Sequence, residues 1–463
     1  MKINEILKNL KLEIDRAHRI NVDENKKSEG GIPDFVTACN GVQRYFNAAA
    51  RRNLKLLAST LYSNDIDLQS SIDEDQLFNI VKQCVADFHA ENKLCDSADY
   101  NQVKKDLVST IRHSVHLKSL VFTHYFPAWT LGMERVSRID TGPMRIITRD
   151  EWIDSVDFSD SVKENHRFQP EKNNKWKEEL REVLKNPSSD IILGGLSATI
   201  FNAIEKWPAI IRVTLSGKEI TLSRKLARII GKSGLDGISL LFENADVFSQ
   251  QTLNDERLPP FGSSSLVEIN NYLCLPGSTL SNRIPIISPK LSAKHLEASR
   301  VGLESIGFVL TSLAEPDKAI SPGLCQRWAT ALDWYGEGNR EENDAIAVTK
   351  IATCLDILSC GGKYGGILDM IGHLLDLDEN TIILKKPAEK SLADVVRDIY
   401  DNGRSKILHG THTNRLQSFS TLRKISEQLA GSALLKAVTL LPKYKGEDID
   451  TGFRSMGLAA VDA

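Results

Sequence analysis

The sequence predicts a mainly α-helical protein, in which a helical N-terminal region and a mixed middle region precede a C-terminal helical bundle. Apolar residues recur at helical spacing through most of residues 1–125, which form a helical N-terminal region, and through residues 291–445, which form a helical bundle. Between them, residues 126–290 combine short apolar runs with turn residues, so this middle region is expected to be mixed α+β. Connections in the last third are short, as is typical of helical bundles. Residues 446–463 are weakly patterned and are expected to form a weakly ordered tail.

Composition indicates an ordinary globular protein. The 58 basic and 61 acidic residues give a net charge of −3, so any binding of nucleic acid must come from a local basic patch. The seven cysteines form no CxxC pair, which argues against a disulfide framework and against a structural zinc site. No apolar run is long enough to span a membrane, and the first twenty residues lack the apolar core of a signal peptide. These features predict a reducing, cytoplasmic location.

The N-terminal region contains several amphipathic helical patterns. One of them, NGVQRYFNAAARRNLKLLASTLY, carries four basic residues: Arg44, Arg51, Arg52 and Lys55. These residues either contact phosphate backbones or form a solvated helix face, and the second interpretation is favoured. A later pattern carries His113 and His116, whose spacing would suit one metal ion on a helix. No third ligand lies nearby in the sequence, so a surface or packed role is expected for them.

The middle region is predicted to begin with two strands joined by a turn at residues 140–143. A polar loop is expected over residues 156–175, followed by a short charged helix and a buried helix. The stretch AIIRVTLSGKEIT predicts a hairpin over Ser216 and Gly217, and a long helix capped by Ser223 follows it.

That long helix contains Gly231, Lys232 and Ser233, which are similar to the end of a phosphate-binding loop. The first glycine of the motif would fall five residues before Gly231, where the chain has Leu226. The segment also lies inside a helical pattern and does not follow a strand, so we exclude a nucleotide-binding loop here.

Six helices are expected in the last third of the chain. The first is predicted to be one long helix, LSAKHLEASRVGLESIGFVLTSL. The fifth begins at Ser391, with Asp394 three residues on as a capping-box partner, and ends before Gly410. The remaining four cover these segments: GLCQRWATALDWYGEG, DAIAVTKIATCLDILS, YGGILDMIGHLLDL and FSTLRKISEQLAGSALLKAVTLL.

The fifth helix carries Arg404 and, at its end, His409. None of the other nine histidines has an arginine five to seven residues upstream. Five helical residues rotate by roughly 140°, so the two side chains converge only if the arginine reaches across or if the helix end turns the histidine inward. An imidazole can exchange a proton with a ribose hydroxyl or a leaving oxygen, and a guanidinium can bind the phosphate between them. The pair therefore suits phosphodiester cleavage in RNA.

Three stretches of this region resemble the HEPN superfamily (higher eukaryotes and prokaryotes nucleotide-binding), and most of all its Apea-like branch. RWATALDWYGEG is similar to the opening helix, DAIAVTKIATCLDILS to the helix that bears an acidic residue, and DIYDNGRSKILHG to the arginine–histidine motif with its trailing glycine. The resemblance covers about the last third of the chain. It implies a metal-independent endoribonuclease without a cofactor, whose active site forms where two such domains pair, and hence a homodimer.

The resemblance also implies roles for individual residues. His409 would be the general acid or base, Arg404 would hold the scissile phosphate, and Asp356 would orient one of them. Many relatives have glutamate where this chain has Asp356, so a helix-capping or surface role for this residue stays open. Ser405 and Lys406 are candidate phosphate contacts, and each is alternatively a solvated side chain.

The glycine-rich stretch Gly361–Gly366 either cradles a phosphate or forms a flexible turn between helices.

Proteins of this branch resemble effectors of antiphage defence that cleave RNA to arrest the infected cell. Under this interpretation the first 290 residues are a sensor, the substrate is tRNA or mRNA, and a phage-derived protein is a candidate trigger. Two alternatives stay open. The last third is either a non-catalytic HEPN module that binds nucleotide or RNA or mediates dimerisation, or a helical scaffold in which His409 only caps a helix.

Overall fold

The computed structural model describes residues 2–19, 34–136, 139–165, 175–256, 262–274, 277–280, 288–386, 388–414 and 416–459. The chain divides into two compact units, one of Met1–Thr123 with Thr214–Ala227 and one of His124–Val213 with Arg228–Ala463. The predicted mainly α class is confirmed, because helices account for most of the described residues.

The first unit is built around helices that share one apolar core. They are α1 (Ile3–Arg19), α2 (Ala48–Ser63), α3 (Ile66–Ser71), α4 (Glu74–Ala90) and α5 (Tyr100–Lys118). Asparagine or aspartate caps α2 to α5 by accepting hydrogen bonds from the first turn of each helix. The helix predicted from residue 40 begins only at Ala48, because the antiparallel strands β1 (Asp34–Thr37) and β2 (Gln43–Phe46) pair before it.

A five-stranded sheet forms the middle of the chain, in the order β4-β5-β6-β3-β7. Its strands are β3 (Leu120–Trp129), β4 (Ile139–Thr141), β5 (Met144–Thr148), β6 (Ala209–Lys218) and β7 (Thr252–Leu253). The predicted turn between β4 and β5 is present, and Gly142 at this turn has a φ of +58°. A Cβ atom there would lie 2.7 Å from the carbonyl oxygen of Gly307, so this turn requires glycine.

The hairpin predicted over Ser216 and Gly217 is wrong. Residues 209–218 form the single strand β6, which lies between β5 and β3 and pairs with strands on both sides. The following helix, α10 (Ile220–Leu240), is capped earlier than predicted. The carboxylate of Glu219, and not Ser223, accepts hydrogen bonds from the backbone N–H groups of Thr221 and Leu222 at 2.9 and 3.3 Å.

Four further helices lie between β5 and β6: α6 (Arg149–Ser155), α7 (Asp160–Asn165), α8 (Lys175–Lys185) and α9 (Gly195–Ile204). The loop predicted over residues 156–175 thus contains the short helix α7 and ends where α8 begins, and its residues 166–174 lie outside the described residues. After β7, two short hairpins are formed by β8 (Gly262–Ser265) with β11 (Gly277–Leu280) and by β9 (Glu268–Ile269) with β10 (Tyr272–Leu273).

The last third of the chain is helical. Its elements are α11 (Pro289–Ala298), α12 (Arg300–Ala314), α13 (Pro322–Asn339), α14 (Asp344–Leu358), α15 (Lys363–Leu375), α16 (residues 392–408), α17 (Ser420–Leu440) and α18 (Met456–Ala459), with the short hairpin β12 (Ile382–Leu384) and β13 (Lys390–Ser391) before α16. The single long helix predicted first is divided at Ser299 into α11 and α12. Both parts contact Leu241, through the His295 ring and the backbone at Gly302.

The bundle is organised around Trp328 of α13, which is fully buried. Its indole Nε1 donates to the carbonyl oxygen of Leu434 at 2.9 Å and so joins α13 to α17. Residues 446–463, predicted to be weakly ordered, include the fully buried Phe453 and Met456. Residues 460–463 lie outside the described residues.

All seven cysteines carry free thiols. In the described part of the chain, no single helix is long and apolar enough to span a membrane. The helices α14 and α15 pass such a test only as a pair, across a bend of 72°. Many of their apolar residues are buried in the bundle, as in the core helices of other proteins.

Candidate active site

The helix α16 carries Arg404 and changes its winding along its length. Leu392–Arg397 is α-helical, Asp398–Ser405 is π-helical and Lys406–Leu408 is α-helical again. The predicted capping box is present, since Ser391 Oγ accepts from the Asp394 N–H at 3.2 Å and an Asp394 carboxylate oxygen accepts from the Ser391 N–H at 3.3 Å. π-helical turns are rare inside α-helices. Those that do occur are often found at functional sites.

The π-helical turn is packed closely against α14. A Cβ atom at Gly403 would lie 2.3 Å from Val348 Cγ1, so only glycine allows this approach. The carbonyl oxygen of Gly403 accepts a hydrogen bond from Thr349 Oγ1 at 2.8 Å in a buried position. This bond links α14 directly to the backbone of the π-helical turn.

Arg404 is held by a carboxylate on α14. Its Nη2 lies 2.9 Å from Asp356 Oδ2, and the two side chains are 25% and 17% exposed. The guanidinium carbon of Arg404 lies 5.4 Å from the ring centroid of Tyr400, one turn earlier in α16, which is within cation–π distance. Arg404 Nε is buried and has no hydrogen-bond partner. The site thus contains a guanidinium that is paired with one carboxylate and whose buried Nε–H has no acceptor.

His409 lies at the exposed end of α16. Its backbone N–H donates to the Ser405 carbonyl at 2.9 Å, and Gly410 follows with a φ of +68°, which ends the helix as predicted. Among the described residues, no hydrogen bond or ion pair joins the His409 ring to Arg404 or Asp356. The ring is exposed to solvent and does not enter the apolar core. The structure therefore brings Arg404 and Asp356 together and leaves His409 at the edge of the same helix.

No family model, no curated protein and no solved structure matches this chain. Its function is therefore inferred from the side chains and their surroundings.

The two predicted phosphate contacts have different surroundings. Lys406 is exposed, and its Nζ donates to Asn402 Oδ1 at 2.6 Å, while Asn402 Nδ2 donates to Asp398 Oδ1 at 2.8 Å. The ammonium group of Lys406 thus already has an acceptor on its own helix. Ser405 is partly exposed beside Arg404, and its hydroxyl makes no hydrogen bond within the described residues.

The glycine-rich stretch Gly361–Gly366 is not arranged as a phosphate cradle. Arg454 Nε donates to the Ser359 carbonyl at 2.7 Å, and its Nη2 donates to the carbonyls of Cys360 and Gly361 at 3.1 and 3.0 Å. The turn therefore presents carbonyl oxygens to an arginine and has a structural role. Sequence reasoning missed Arg454, because ninety residues separate it from the turn that it binds.

Lys232, in the rejected phosphate-loop match, is enclosed by carboxylates. Its Nζ lies 2.7 Å from Asp333 and 3.2 Å from Asp236, Glu256 and Glu337. Burial by itself would lower the pKa of Lys232, but the surrounding carboxylates outweigh burial and raise it. A lysine held in this way is not free to bind phosphate.

The other sequence candidates do not form a site. Arg44 Nε donates to His89 Nδ1 at 3.0 Å, and Arg52 and Lys55 are exposed on the surface of α2. His113 and His116 are also exposed. No group of three or more histidine, cysteine, aspartate or glutamate side chains among the described residues is placed to hold a metal ion.

Proposed function

We propose that the protein is an endoribonuclease that cleaves RNA without a metal ion through Arg404 and His409. The observation that carries this proposal is the ion pair between Arg404 of α16 and Asp356 of α14. His409 lies at the exposed end of the same helix as Arg404. A guanidinium oriented by a carboxylate and an accessible imidazole are the groups that acid–base cleavage of a phosphodiester requires.

Each group has a role in the proposed reaction. Arg404 binds the scissile phosphate through its guanidinium, since the side chain is 25% exposed beside Asp356. One imidazole takes the proton of the ribose 2′-hydroxyl as the 2′ oxygen bonds to phosphorus. The bond from phosphorus to the 5′ oxygen breaks, and that oxygen receives a proton from an imidazolium. Asp356 holds Arg404 in place, and Ser405 adds a hydroxyl beside the phosphate.

This chemistry requires two imidazoles, one as base and one as acid. Each chain supplies one such histidine, which does not contact its own Arg404. We therefore propose that two copies pair through their C-terminal bundles and form a composite site with two arginines and two histidines. Lys406, which is exposed at the same helix end, would approach the RNA backbone there.

The cellular role follows from the same hypothesis. An RNA-cleaving effector attached to a large additional region suits abortive-infection defence in the cytoplasm, with residues 1–290 as the sensor and a phage-derived protein as trigger. The substrate would be tRNA or mRNA.

One observation favours a second candidate, a non-catalytic module that binds RNA or nucleotide. No carboxylate or carbonyl orients the His409 ring among the described residues, whereas catalytic histidines usually have such a partner. A binding module would keep Arg404 for the phosphate and would not need His409.

The deciding experiment is cleavage of a labelled tRNA or total-RNA pool in excess EDTA by the wild type and by His409→Ala. The exposed His116, in the first unit, provides a matched histidine control, His116→Ala. Cleavage that is lost only in His409→Ala, with folding and dimerisation intact, would support the nuclease. Cleavage retained by His409→Ala would reject it.

If neither protein cleaves RNA, expression toxicity separates the two functions. Toxicity that disappears in His409→Ala indicates a nuclease awaiting its trigger, whereas retained RNA binding without toxicity indicates the binding module. Since imidazoles act as both acid and base, cleavage is expected to have a bell-shaped pH dependence between about pH 5 and 8. Loss of activity in EDTA would contradict the metal-free mechanism.

A further inference from the structure

The last turn of α14 carries Asp356 and closes on the backbone of that residue. The N–H of Gly361 donates to the Asp356 carbonyl at 2.7 Å, and the N–H of Cys360 donates to the Ile357 carbonyl at 3.0 Å. This pair of hydrogen bonds is the Schellman motif, which ends many helices. The residue whose carboxylate contacts Arg404 is therefore also the residue on which the turn after α14 is built.

This turn has an unfavourable backbone conformation. The four consecutive residues from Cys360 to Lys363 have φ values between +55° and +82°, and the first and last of them are not glycine. Residues with a Cβ atom rarely adopt this left-handed conformation, because the Cβ atom meets the backbone. The turn is therefore expected to depend on contacts from outside it.

Arg454 provides such contacts. Its guanidinium donates to the carbonyl oxygens of Ser359, Cys360 and Gly361 at 2.7, 3.1 and 3.0 Å. A Cβ atom at Gly362 would lie 2.6 Å from Arg454 Nη2, so the guanidinium occupies the space inside the turn. Within the described residues Arg454 forms no ion pair with a carboxylate. Its charge instead lies at the carbonyl end of α14, where the helix dipole favours a cation.

The segment around Arg454 is packed firmly against α15. Phe453 and Met456 are fully buried, and the Nδ1–H of His373 in α15 donates to the Arg454 carbonyl. A Cβ atom at Gly457 would lie 2.0 Å from the carbonyl oxygen of His373, so the two backbones approach each other closely. Arg454 is thus presented to the turn from a fixed support.

We propose that Arg454 is a positioning residue for Arg404 and acts through Asp356. Arg454 holds the left-handed turn, the turn holds the last turn of α14, and Asp356 in that last turn holds Arg404. The importance of these contacts for RNA cleavage rests on the function proposed above, whereas the positioning of Arg404 does not. Without Arg454 the end of α14 should loosen, so that Asp356 no longer orients the guanidinium.

The side-chain nuclear magnetic resonance signal of Arg404 tests the proposal in the full-length protein with isotope-labelled arginine. The Nε–H resonance of Arg404 is assigned by its absence in Arg404→Lys, and Asp356→Asn gives its position without the carboxylate. The nearby ring of Tyr400 makes this resonance sensitive to the placement of the guanidinium. Arg454→Met removes the donors and keeps most of the side-chain length. We expect it to move the resonance most of the way to its position in Asp356→Asn.

The matched control is an arginine at the end of another helix. Arg149 Nη1 donates to the carbonyls of Ile204 and Glu205 at the end of α9, at 3.2 and 3.0 Å. Arg149→Met should therefore destabilise a helix end in the same unit and leave the Arg404 resonance unchanged.

A rescue variant tests the turn itself. Cys360→Gly removes the Cβ atom from a left-handed position, so the turn should form more readily without Arg454. In Cys360→Gly combined with Arg454→Met, the Arg404 resonance should return toward its wild-type position. If Arg454→Met does not fold, Arg454→Lys takes its place. Lysine keeps the charge without the fork of donors that reaches three carbonyls, so we expect a smaller shift in the same direction.

An unchanged Arg404 resonance in the folded Arg454 variants, or an equal shift in Arg149→Met, would overturn the proposal. RNA cleavage by the same proteins is a separate readout. If the wild type cleaves RNA, Arg454→Met and Asp356→Asn should lose activity by similar factors, and full activity in Arg454→Met would exclude a role in cleavage. If no protein cleaves RNA but the resonance still moves, the positioning role of Arg454 stands independently of the ribonuclease proposal.

Discussion

The hydroxyl of Thr349 lies 2.8 Å from the carbonyl oxygen of Gly403 and joins α14 to the π-helical turn that precedes Arg404. The same hydroxyl lies 2.9 Å from the Ala345 carbonyl within α14, so one hydrogen serves two acceptors. Seven residues after Thr349, Asp356 extends from the same helix to Arg404. One face of α14 thus contacts both the π-helical turn of α16 and its arginine.

Removal of this hydroxyl should destabilise the fold. Thr349→Val keeps the side-chain shape and removes the buried hydrogen bond to the Gly403 carbonyl, so we expect the free energy of unfolding to fall by about 1 kcal/mol. Thr353→Val is the control, because Thr353 Oγ1 donates only to the Thr349 carbonyl of its own helix, at 2.8 Å. Urea unfolding measures both. Equal losses in the two variants would show that the bond between the helices has no special role.

The close approach at Gly403 gives a separate prediction. Gly403→Ala places a methyl group against Val348, so α16 must move or Val348 must change rotamer, at a cost of about 1–3 kcal/mol. Val348→Ala alone should also destabilise, because Val348 is fully buried. The double variant should lose less than the sum of the two single losses, because the clashing Cγ1 atom is absent, and thermal unfolding of all three variants measures this difference. Strictly additive losses would contradict the contact.

The ion pair of Arg404 and Asp356 can be measured by a double-mutant cycle. With Arg404→Gln and Asp356→Asn, we expect a coupling energy of about 1 kcal/mol, since both side chains are mostly buried. The control is the surface pair of Arg300 and Glu304, whose Nε and Oε1 atoms are 2.9 Å apart and whose side chains are 71% and 63% exposed. This pair should have a coupling energy of about 0.3 kcal/mol. Equal coupling energies would show that Asp356 does not hold Arg404 more firmly than a surface pair.

Local sequence patterns predicted the helical elements of this region well. The capping box at Ser391 and the helix end at Gly410 follow from side-chain chemistry within a few residues. The π-helical winding was not predictable in this way, because it depends on a glycine meeting Val348 and on a hydroxyl from another helix. The approach of Asp356 to Arg404 was expected only from the resemblance to a family, since 47 positions separate the two residues.

The failures have a common physical reason. Gly217 predicted a hairpin. The strand that contains it, β6, instead lies between β5 and β3 and pairs with both, so it continues through Gly217 without a turn. Arg454 was placed in a weakly patterned tail, although it binds three carbonyls of a distant turn. In both cases the decisive partners are far away in the sequence and leave no periodic signal near the residue itself.

Arg340 and Asp236 form a buried ion pair, and removal of one partner should strongly destabilise the fold. Their side chains are 3% and 1% exposed, and Arg340 Nε also donates to the Phe248 carbonyl at 3.0 Å. Burial opposes the charge of Arg340, but the carboxylates around it, Asp236 first, raise its pKa. Asp236→Ala leaves a buried cation with less compensation and should cost about 3–5 kcal/mol, measured by denaturant unfolding.

The matching control replaces both partners. Asp236→Leu combined with Arg340→Met removes the two charges together and should cost less than Asp236→Ala alone, because no buried charge is left unpaired. A double variant less stable than the single one would show that the ionic pair itself, and not the avoidance of an unpaired charge, stabilises this part of the fold.

Substitution of Asp246 should stabilise the fold, unlike the substitutions above. Burial raises the pKa of its carboxyl above the ordinary value for aspartate, so the folded state binds a proton more tightly than the unfolded state does. Above its folded pKa the ionised carboxylate therefore opposes folding, and this cost disappears as the pH falls through that pKa. Asp246→Asn should raise the free energy of unfolding at pH 7 by about 0.5 kcal/mol, and the melting temperature should rise slightly with it.

The stability gain of this variant should depend on pH. Calorimetry from neutral pH down to pH 4 should show the stability difference from wild type shrinking as Asp246 becomes protonated. Asp317→Asn, which removes an exposed carboxylate, should show no such difference at any pH in this range. An Asp246→Asn protein that is less stable than wild type at neutral pH would mean that the carboxylate is stabilised in the folded protein by more than burial costs it, which would contradict this prediction.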